Sequence, residues 1–370
     1  MGVPFIDLAA QQAEIAAEVE PGVLDILRRG AFVGGPEVAA FEEEYARFLG
    51  VAHCIGVGNG TDAVELALRA VGVRSGGEVI MPANTFIATA EAATRIGAIP
   101  VPVDVDPDFL LMDPDAIEAA ITPRTQAIVP VHLFGQTAPV ERIDPIAAAH
   151  GIPVVEDAAQ SQGAERGGRR AGTLGRVAAT SFYPGKNLGA SGDAGAVMTD
   201  DPDAARFVRL MGSHGSTVKY RHEIVGVNSR LDAVHAVTLR AKLRRLSAWN
   251  ECRRAAAARY ATLLAGFPGV RVPTSMPGNT DIWHLYVVRL SHDRDRVLAD
   301  LTAAGIGAGL HYPDPWHLTP AYAHLGYGPG TCPVAEQAAT QILSLPMYPH
   351  LAQSQQELVA GVLRAAVAGG

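Results

Sequence analysis

Cysteine is scarce in this chain: Cys54, Cys252 and Cys332 are the only three in 370 residues. Their odd number and wide spacing exclude a disulfide framework and a paired-cysteine metal site. They are read as structural residues in a reducing, cytoplasmic setting. No apolar run is long enough to cross a bilayer, so no membrane association is expected. The opening Met1-Gly2-Val3-Pro4-Phe5-Ile6-Asp7 has no basic stretch, and Ile6 stands where a myristoylation signal has Ser or Thr. Positive charge is also in deficit. Thirty Lys and Arg against 38 Asp and Glu give a net charge of −8, which argues against a nucleic-acid surface. Any anionic ligand must then be met by local groups. The twelve histidines show no metal-ligand spacing, so no metal is expected. Gly56-Val57-Gly58-Asn59-Gly60-Thr61 misses the GxGxxG spacing of a dinucleotide-binding turn, which removes a nicotinamide oxidoreductase.

What is present is a large apolar core. Hydrophobic residues make up 48% of the chain and charged residues 18%, over a length that suits about two domains. Between residues 50 and 215, strand-like runs alternate with helical patterns, as in a doubly wound α/β sheet. The runs begin near Ile55, Glu78, Ile99, Ala127, Ile152, Val177 and Gly195. A long helix is predicted after residue 230, with Leu231, Val234, Leu239, Leu243 and Leu246 on one face and Trp249 near its end. Beyond it, strands at 285–288 and 309–312, a helix at 294–304 and two terminal helices predict a smaller α/β domain. The expected organisation is an N-terminal segment 1–30, a large domain 31–245 and a small domain 246–370.

Two residues carry the chemistry. Lys186 sits in the tight turn Ser181-Phe182-Tyr183-Pro184-Gly185-Lys186-Asn187-Leu188-Gly189, directly after an apolar strand. The strand-like Ile152-Pro153-Val154-Val155 delivers Glu156 and Asp157 at its carboxyl end, where open α/β sheets place their ligands. Lys186 and Asp157 are about one βαβ step apart, so neighbouring strand ends can hold both in one crevice. Alone, the lysine could be a solvated turn residue and the aspartate a helix cap. Together they are what pyridoxal 5′-phosphate requires: an amine to hold its aldehyde as a Schiff base, and a carboxylate to keep its ring nitrogen protonated. A phosphate site is also in reach. Gly58-Asn59-Gly60 reads as a turn into a helix, and the N–H groups of Gly60, Thr61 and Asp62 suit an anion. Ser181, five residues before Lys186, can add a hydroxyl.

At this point the chain resembles the DegT/DnrJ/EryC1/StrS family of nucleotide-sugar aminotransferases, a branch of the fold-type I pyridoxal phosphate enzymes. The resemblance covers nearly the whole length. It rests on Phe32-Val33-Gly34-Gly35-Pro36, Asn59-Gly60-Thr61-Asp62-Ala63, Pro82-Ala83-Asn84-Thr85-Phe86-Ile87-Ala88-Thr89 and Pro130-Val131-His132-Leu133-Phe134-Gly135-Gln136. Glu156-Asp157-Ala158-Ala159-Gln160, the Ser181 to Gly189 turn, Asn228-Ser229-Arg230-Leu231-Asp232 and His311-Tyr312-Pro313 complete it. It implies a mixed seven-stranded sheet, pyridoxal phosphate as cofactor, L-glutamate as amino donor and a nucleotide-linked keto sugar as acceptor. Within the family the motifs look most like enzymes that aminate C3 of dTDP-linked keto-6-deoxyhexoses, with C4 as the alternative. His235 departs from the pattern, standing where the family usually has glutamine.

Further roles follow from the resemblance. Phe86 stacks on the cofactor ring. Gln160 reaches the cofactor's 3′ oxygen, on the expectation that Ala158-Ala159 turns helically and puts it on one face with Asp157. Asn228, with Arg230 beside it, crosses a dimer interface to the other subunit's phosphate, so the active sites of a homodimer are shared. Lys219-Tyr220-Arg221-His222 either holds the sugar diphosphate or is a solvated loop, with Lys219, Tyr220 and His222 as the substrate candidates. His311 and Tyr312 are further substrate candidates, whereas His284 and His317 read as strand-end histidines that serve the fold. Lys186 excludes the family's dehydratases, which replace this lysine by histidine. The complete set Asp157, Gln160, Ser181 and Lys186 argues against a pyridoxal phosphate-binding regulator without turnover.

Overall fold

A computed structural model describes residues 2–291 and 293–369. Seven strands build the central sheet: β1 His53–Val57, β2 Glu78–Pro82, β3 Ile99–Val103, β4 Thr125–Ile128, β5 Val155–Asp157, β6 Val177–Ser181 and β7 Gly195–Thr199. Their spatial order is β3-β2-β4-β5-β6-β7-β1, with β4 joined to β5 through the parallel bridges Ile128↔Val154 and Val131↔Asp157. Strand β7 runs antiparallel to both of its neighbours and the other pairs are parallel, so the sheet is mixed.

Side-chain alternation explains why helices cover both faces. Ile55, Val57, Val79, Met81, Val155, Val177 and Ala179 point into one buried cluster, with the helices Gly60–Ala70 and Ile87–Arg95 packed on it. The intervening Cys54, Ile80, Ile128, Val154, Ala178 and Ala196 point into clusters on the other face. A strand apolar on both faces must be buried on both. The parallel strands end on one edge, which brings Asp157, Ser181 and the turns that follow Val57 and Pro82 to a common crevice.

The helix Ala233–Leu263 runs from this region into a second one. Leu239 and Leu246 pack with the large sheet, while Ala256 and Tyr260 pack in a separate core. It continues well beyond Trp249, which the sequence placed near its end, because Ala255-Ala256-Ala257-Ala258 sustains helical propensity. Leu231 precedes the helix, outside its Asp232 cap. The second core holds a three-stranded antiparallel sheet of Val270–Arg271, Tyr286–Leu290 and Ile342–Leu345, with the helices Arg294–Ala303 and Gln353–Ala368. The predicted strand at 309–312 does not form. Only Gly309 bridges to Ser344, and the chain then leaves the sheet ahead of Pro313, whose ring disfavours regular pairing. That departure carries His311 and Tyr312 to the crevice.

The N-terminal helix Leu8–Arg29 lies along the long helix, burying Ile15 and Val19 against Ala241 and Trp249. Ahead of it, Val3 pairs with Ile306 and Phe5 stacks on His311 with ring centroids 5.4 Å apart.

Candidate active site

At the carboxyl edge of the sheet lies a cavity of about 820 Å³. The large sheet contributes Gly60, Thr61, Phe86, Asp157, Gln160, Ser181 and Lys186 to its wall, and the second region contributes His284, His311 and Tyr312. Strand alternation explains the choice between the adjacent carboxylates. Asp157 faces the cavity, whereas Glu156 points the other way and is fully buried. Glu156 accepts from His132 Nε2 at 2.7 Å and from the N–H groups of Gly172, Leu174 and Gly175 at 2.7, 2.6 and 2.7 Å. His132 Nδ1 accepts from the Ala138 N–H at 3.0 Å, which leaves the ring proton on Nε2 for Glu156. Burial pushes the Glu156 carboxyl up, but these bonds outweigh it and hold it below the usual range. Glu156 anchors the strand and Asp157 is free for the cavity.

Lys186 is half-buried in its turn, with its amine aimed into the cavity wall. Loss of solvent lowers its amine to about 8, against the opposing pull of the Asp157 carboxylate. About a tenth of it is therefore neutral and nucleophilic at pH 7, where an ordinary lysine has almost none.

The anion end differs in one respect from the sequence reading. The Asn59 side chain caps the helix by accepting the Asp62 N–H at 2.8 Å, so Asp62 offers no free donor. That leaves the N–H groups of Gly60 and Thr61, beside the Ser181 hydroxyl. Glycine is required at 60: a Cβ there would stand 2.5 Å from the Ser181 Cβ. Only a bare backbone lets the helix start and the end of β6 close on one small anion. Two amides and a hydroxyl for a phosphate, a depressed amine for an aldehyde and a buried carboxylate for a ring nitrogen fit pyridoxal phosphate.

Gln160 reaches the cavity by a route the sequence did not show. Residues 158–160 form a turn rather than a helix, because the Ala158 N–H pairs with the Ala179 carbonyl at 2.8 Å and so continues the sheet. Gln160 Oε1 accepts from the Phe134 N–H at 2.7 Å and its amide nitrogen donates to the Tyr312 hydroxyl at 3.0 Å. Phe86 is 49% exposed at the mouth, its ring 5.1 Å from that of Tyr312. Burial holds the His311 imidazole down at about 4, with the Lys186 charge a second cause.

Five predicted residues stand outside this cavity. Lys219, Tyr220 and His222 lie on an exposed hairpin of Ser216–Val218 and Arg221–His222, with Tyr220 82% exposed and the Lys219 amine 5.0 Å from its ring centre. Asn228 and Arg230 are exposed and bond to each other at 3.1 Å. Between them the buried Ser229 accepts the Gly58 N–H at 3.0 Å and donates to Asp62 at 2.7 Å. The segment is thus pinned to the anion loop by its middle residue, with its neighbours turned outward.

Sequence reasoning undervalued His284. It lines the cavity, and its Nδ1 donates to Asn187 Oδ1 at 3.1 Å, since Asn187 uses its amide nitrogen on Asn250 and the Ile282 carbonyl. Burial and the nearby Lys186 charge hold its imidazole well below the ordinary value. The adjacency of Trp283-His284-Leu285 to a strand was the only signal. His317, by contrast, is buried against Glu336 at 3.2 Å, away from the cavity.

Residues 13–364 match the DegT/DnrJ/EryC1/StrS aminotransferase family. The chain belongs to this family. A dTDP-3-amino-3,4,6-trideoxy-alpha-D-glucose transaminase of Streptomyces venezuelae is 46% identical over 362 residues, covering 98% of this chain and 95% of that one. The erythromycin biosynthesis sensory transduction protein EryC1 of Saccharopolyspora erythraea is 47% identical over 365 residues, 99% of this chain and 100% of that one. A crystal structure of S. venezuelae DesV in complex with a ketimine intermediate matches with a TM-score of 0.96 and 46% identity, covering 99% and 98% of the two chains. This chain is accordingly a pyridoxal phosphate-dependent aminotransferase of fold type I. Among the described residues, no helix of the aminotransferase is long and apolar enough to cross a membrane, and no cluster of His, Cys, Asp or Glu could hold a metal.

Proposed function

We propose that this aminotransferase moves an amino group from L-glutamate to C3 of a dTDP-linked keto-6-deoxyhexose. The observation that carries this reading is the full-length similarity to the S. venezuelae transaminase, in a chain whose cavity holds the amine, carboxylate and anion site together. In this reading the Gly60 and Thr61 N–H groups and the Ser181 hydroxyl would hold the cofactor phosphate, and Phe86 and Gln160 would hold its ring. Bound pyridoxal phosphate supplies the electron sink that lets nitrogen pass between donor and acceptor. Lys186 would hold the cofactor and would move the proton at the reacting carbon; its amine near 8 suits both tasks. Asp157 holds the proton on the ring nitrogen.

The acceptor sugar enters past His311 and Tyr312, and the rest of its site comes from a second copy of the chain. Asn228 reaches the neighbouring phosphate, and Arg230 and the Lys219-Tyr220-His222 hairpin meet the sugar diphosphate. Leu24, Leu27, Phe32, Val33 and Val225 are exposed, which supports an apolar contact between two copies. The sensory name carried by the S. erythraea relative does not favour a regulator here, since Lys186, Asp157 and the anion site are all present. Incubating the enzyme and glutamate with each dTDP-keto sugar, then locating the new nitrogen by NMR, tests the reading. Amination of the 3-keto sugar supports it, and amination of the 4-keto sugar alone replaces C3 by C4.

A further inference from the structure

Both oxygens of Asp157 are held by its own chain. Oδ1 accepts the Ala159 N–H at 3.1 Å and Oδ2 accepts the Thr89 hydroxyl at 2.8 Å. The Thr89 hydroxyl lies 2.9 Å from that of Thr85, and both threonines are buried in the cavity wall. The carboxylate fixes the polarity of this chain. An ionised carboxylate only accepts, so Thr89 directs its one hydroxyl proton at Asp157 and must accept from Thr85. Thr89 sits in the first turn of the helix Ile87–Arg95, where its β-branched side chain has few rotamers and the helix dipole favours a nearby anion.

We propose that Thr89, backed by Thr85, is a positioning residue: a neutral hydroxyl relay that aims the Asp157 carboxylate at the cofactor's ring nitrogen without neutralising it. This rests on the role given to Asp157 above. A lysine or arginine in the place of Thr89 would pair with the carboxylate and weaken its hold on the ring proton, whereas two hydroxyls orient the charge and leave it available. The other titratable groups facing Asp157 are Lys186 across the cavity and the Tyr312 phenol, which burial and the Asp157 charge push up.

Thr89→Val keeps the shape of the side chain and removes the proton. In the enzyme reconstituted with pyridoxal phosphate, it should weaken cofactor binding about tenfold and shift the pH midpoint of the bound-cofactor absorbance band by about one unit, the sizes expected for a lost hydrogen bond to a buried charge. The kcat should fall by a similar factor with the KM for the keto sugar unchanged. Thr89→Ser should restore both, and Thr85→Val, one bond further away, should shift the band in the same direction by less. A wild-type titration in Thr89→Val overturns the relay, as does a Thr89→Ser that fails to rescue. If Thr89→Val does not fold, the Thr85→Val titration decides. Asp157→Asn separates the two levels. If it leaves the band and kcat unchanged, the reading of Asp157 fails; if it changes them while Thr89→Val does not, only the relay fails.

Discussion

Along the inner wall of the cavity, the polar side chains around Lys186 are tied into the fold by their own chain. Gln160 bridges Phe134 and Tyr312, Asp157 is held by Thr89 and Ala159, and Asn187 beside Lys186 is clamped to Asn250, Ile282 and His284. The 216–222 hairpin is built differently: Lys219 rests on Tyr220, His222 on the His214 carbonyl at 2.8 Å, and none of them meets the cavity. The difference separates what one chain can complete from what it cannot. Preorganised groups that bear on a cofactor are rigid because each polar atom is already oriented. A solvated hairpin with exposed Val218, Tyr220 and Val225 has its contacts still to make.

The largest expected effect tests the inner wall. Lys186→Ala removes tether and base at once, so turnover should fall by more than about 10⁴-fold, beyond what a single general acid or base supplies. The protein should still fold and hold the cofactor weakly through its phosphate, because the lysine is a buried amine whose loss relieves a desolvation penalty. Normal turnover in this variant would remove Lys186 from the mechanism. Next, Asp157→Asn should leave the cofactor attached to Lys186 but lower kcat about 10²-fold or more, since a neutral amide cannot hold the ring proton. Near-native kcat would move that role elsewhere.

How much of this was legible in the sequence follows the same division. Strand starts, the Lys186 turn and the anion loop were readable because each depends on local signals: apolar runs, glycine at 58 and 60, an amine in a tight turn. The roles of Ser229, Thr89 and His284 were not, because each is set by a partner far along the chain, Gly58 for Ser229, Asp157 for Thr89 and Asn187 for His284. The helical reading of 158–160 went wrong for a related reason: a sheet bond from Ala158 to Ala179 overrode local propensity.

The outer region yields a smaller effect, visible only in mixtures. If Asn228 serves the neighbouring subunit, Lys186→Ala and Asn228→Asp are lesions of different sites, and a hybrid dimer has one site free of both. Random exchange should then restore about a quarter of the wild-type activity per site. No recovery after exchange, or a monomer by light scattering under assay conditions, would place Asn228 and the hairpin outside the catalytic assembly.

The smallest effect tests whether the inner wall is as fully satisfied as it looks, because the loop that carries His284 also carries an exception. Asp281 is 3% exposed and, among the described residues, neither of its carboxylate oxygens has a well-formed hydrogen bond. Burial raises it to about 6, with Ser275 and Asn279 pulling weakly the other way. A folded-state value above the unfolded one means the protonated form is favoured by folding. Its stabilising contribution is complete below about pH 4 and is lost as pH rises through about 6. Asp281→Asn removes the charge and keeps the shape, so its advantage over wild type should grow from pH 5 to pH 8, to at most about 3 kcal/mol for a shift of about two units. Thermal midpoints at the two pH values measure it. An equal difference at both would mean that Asp281 finds a partner on folding, and that the loop behind His284 is as well satisfied as the strand that carries Asp157.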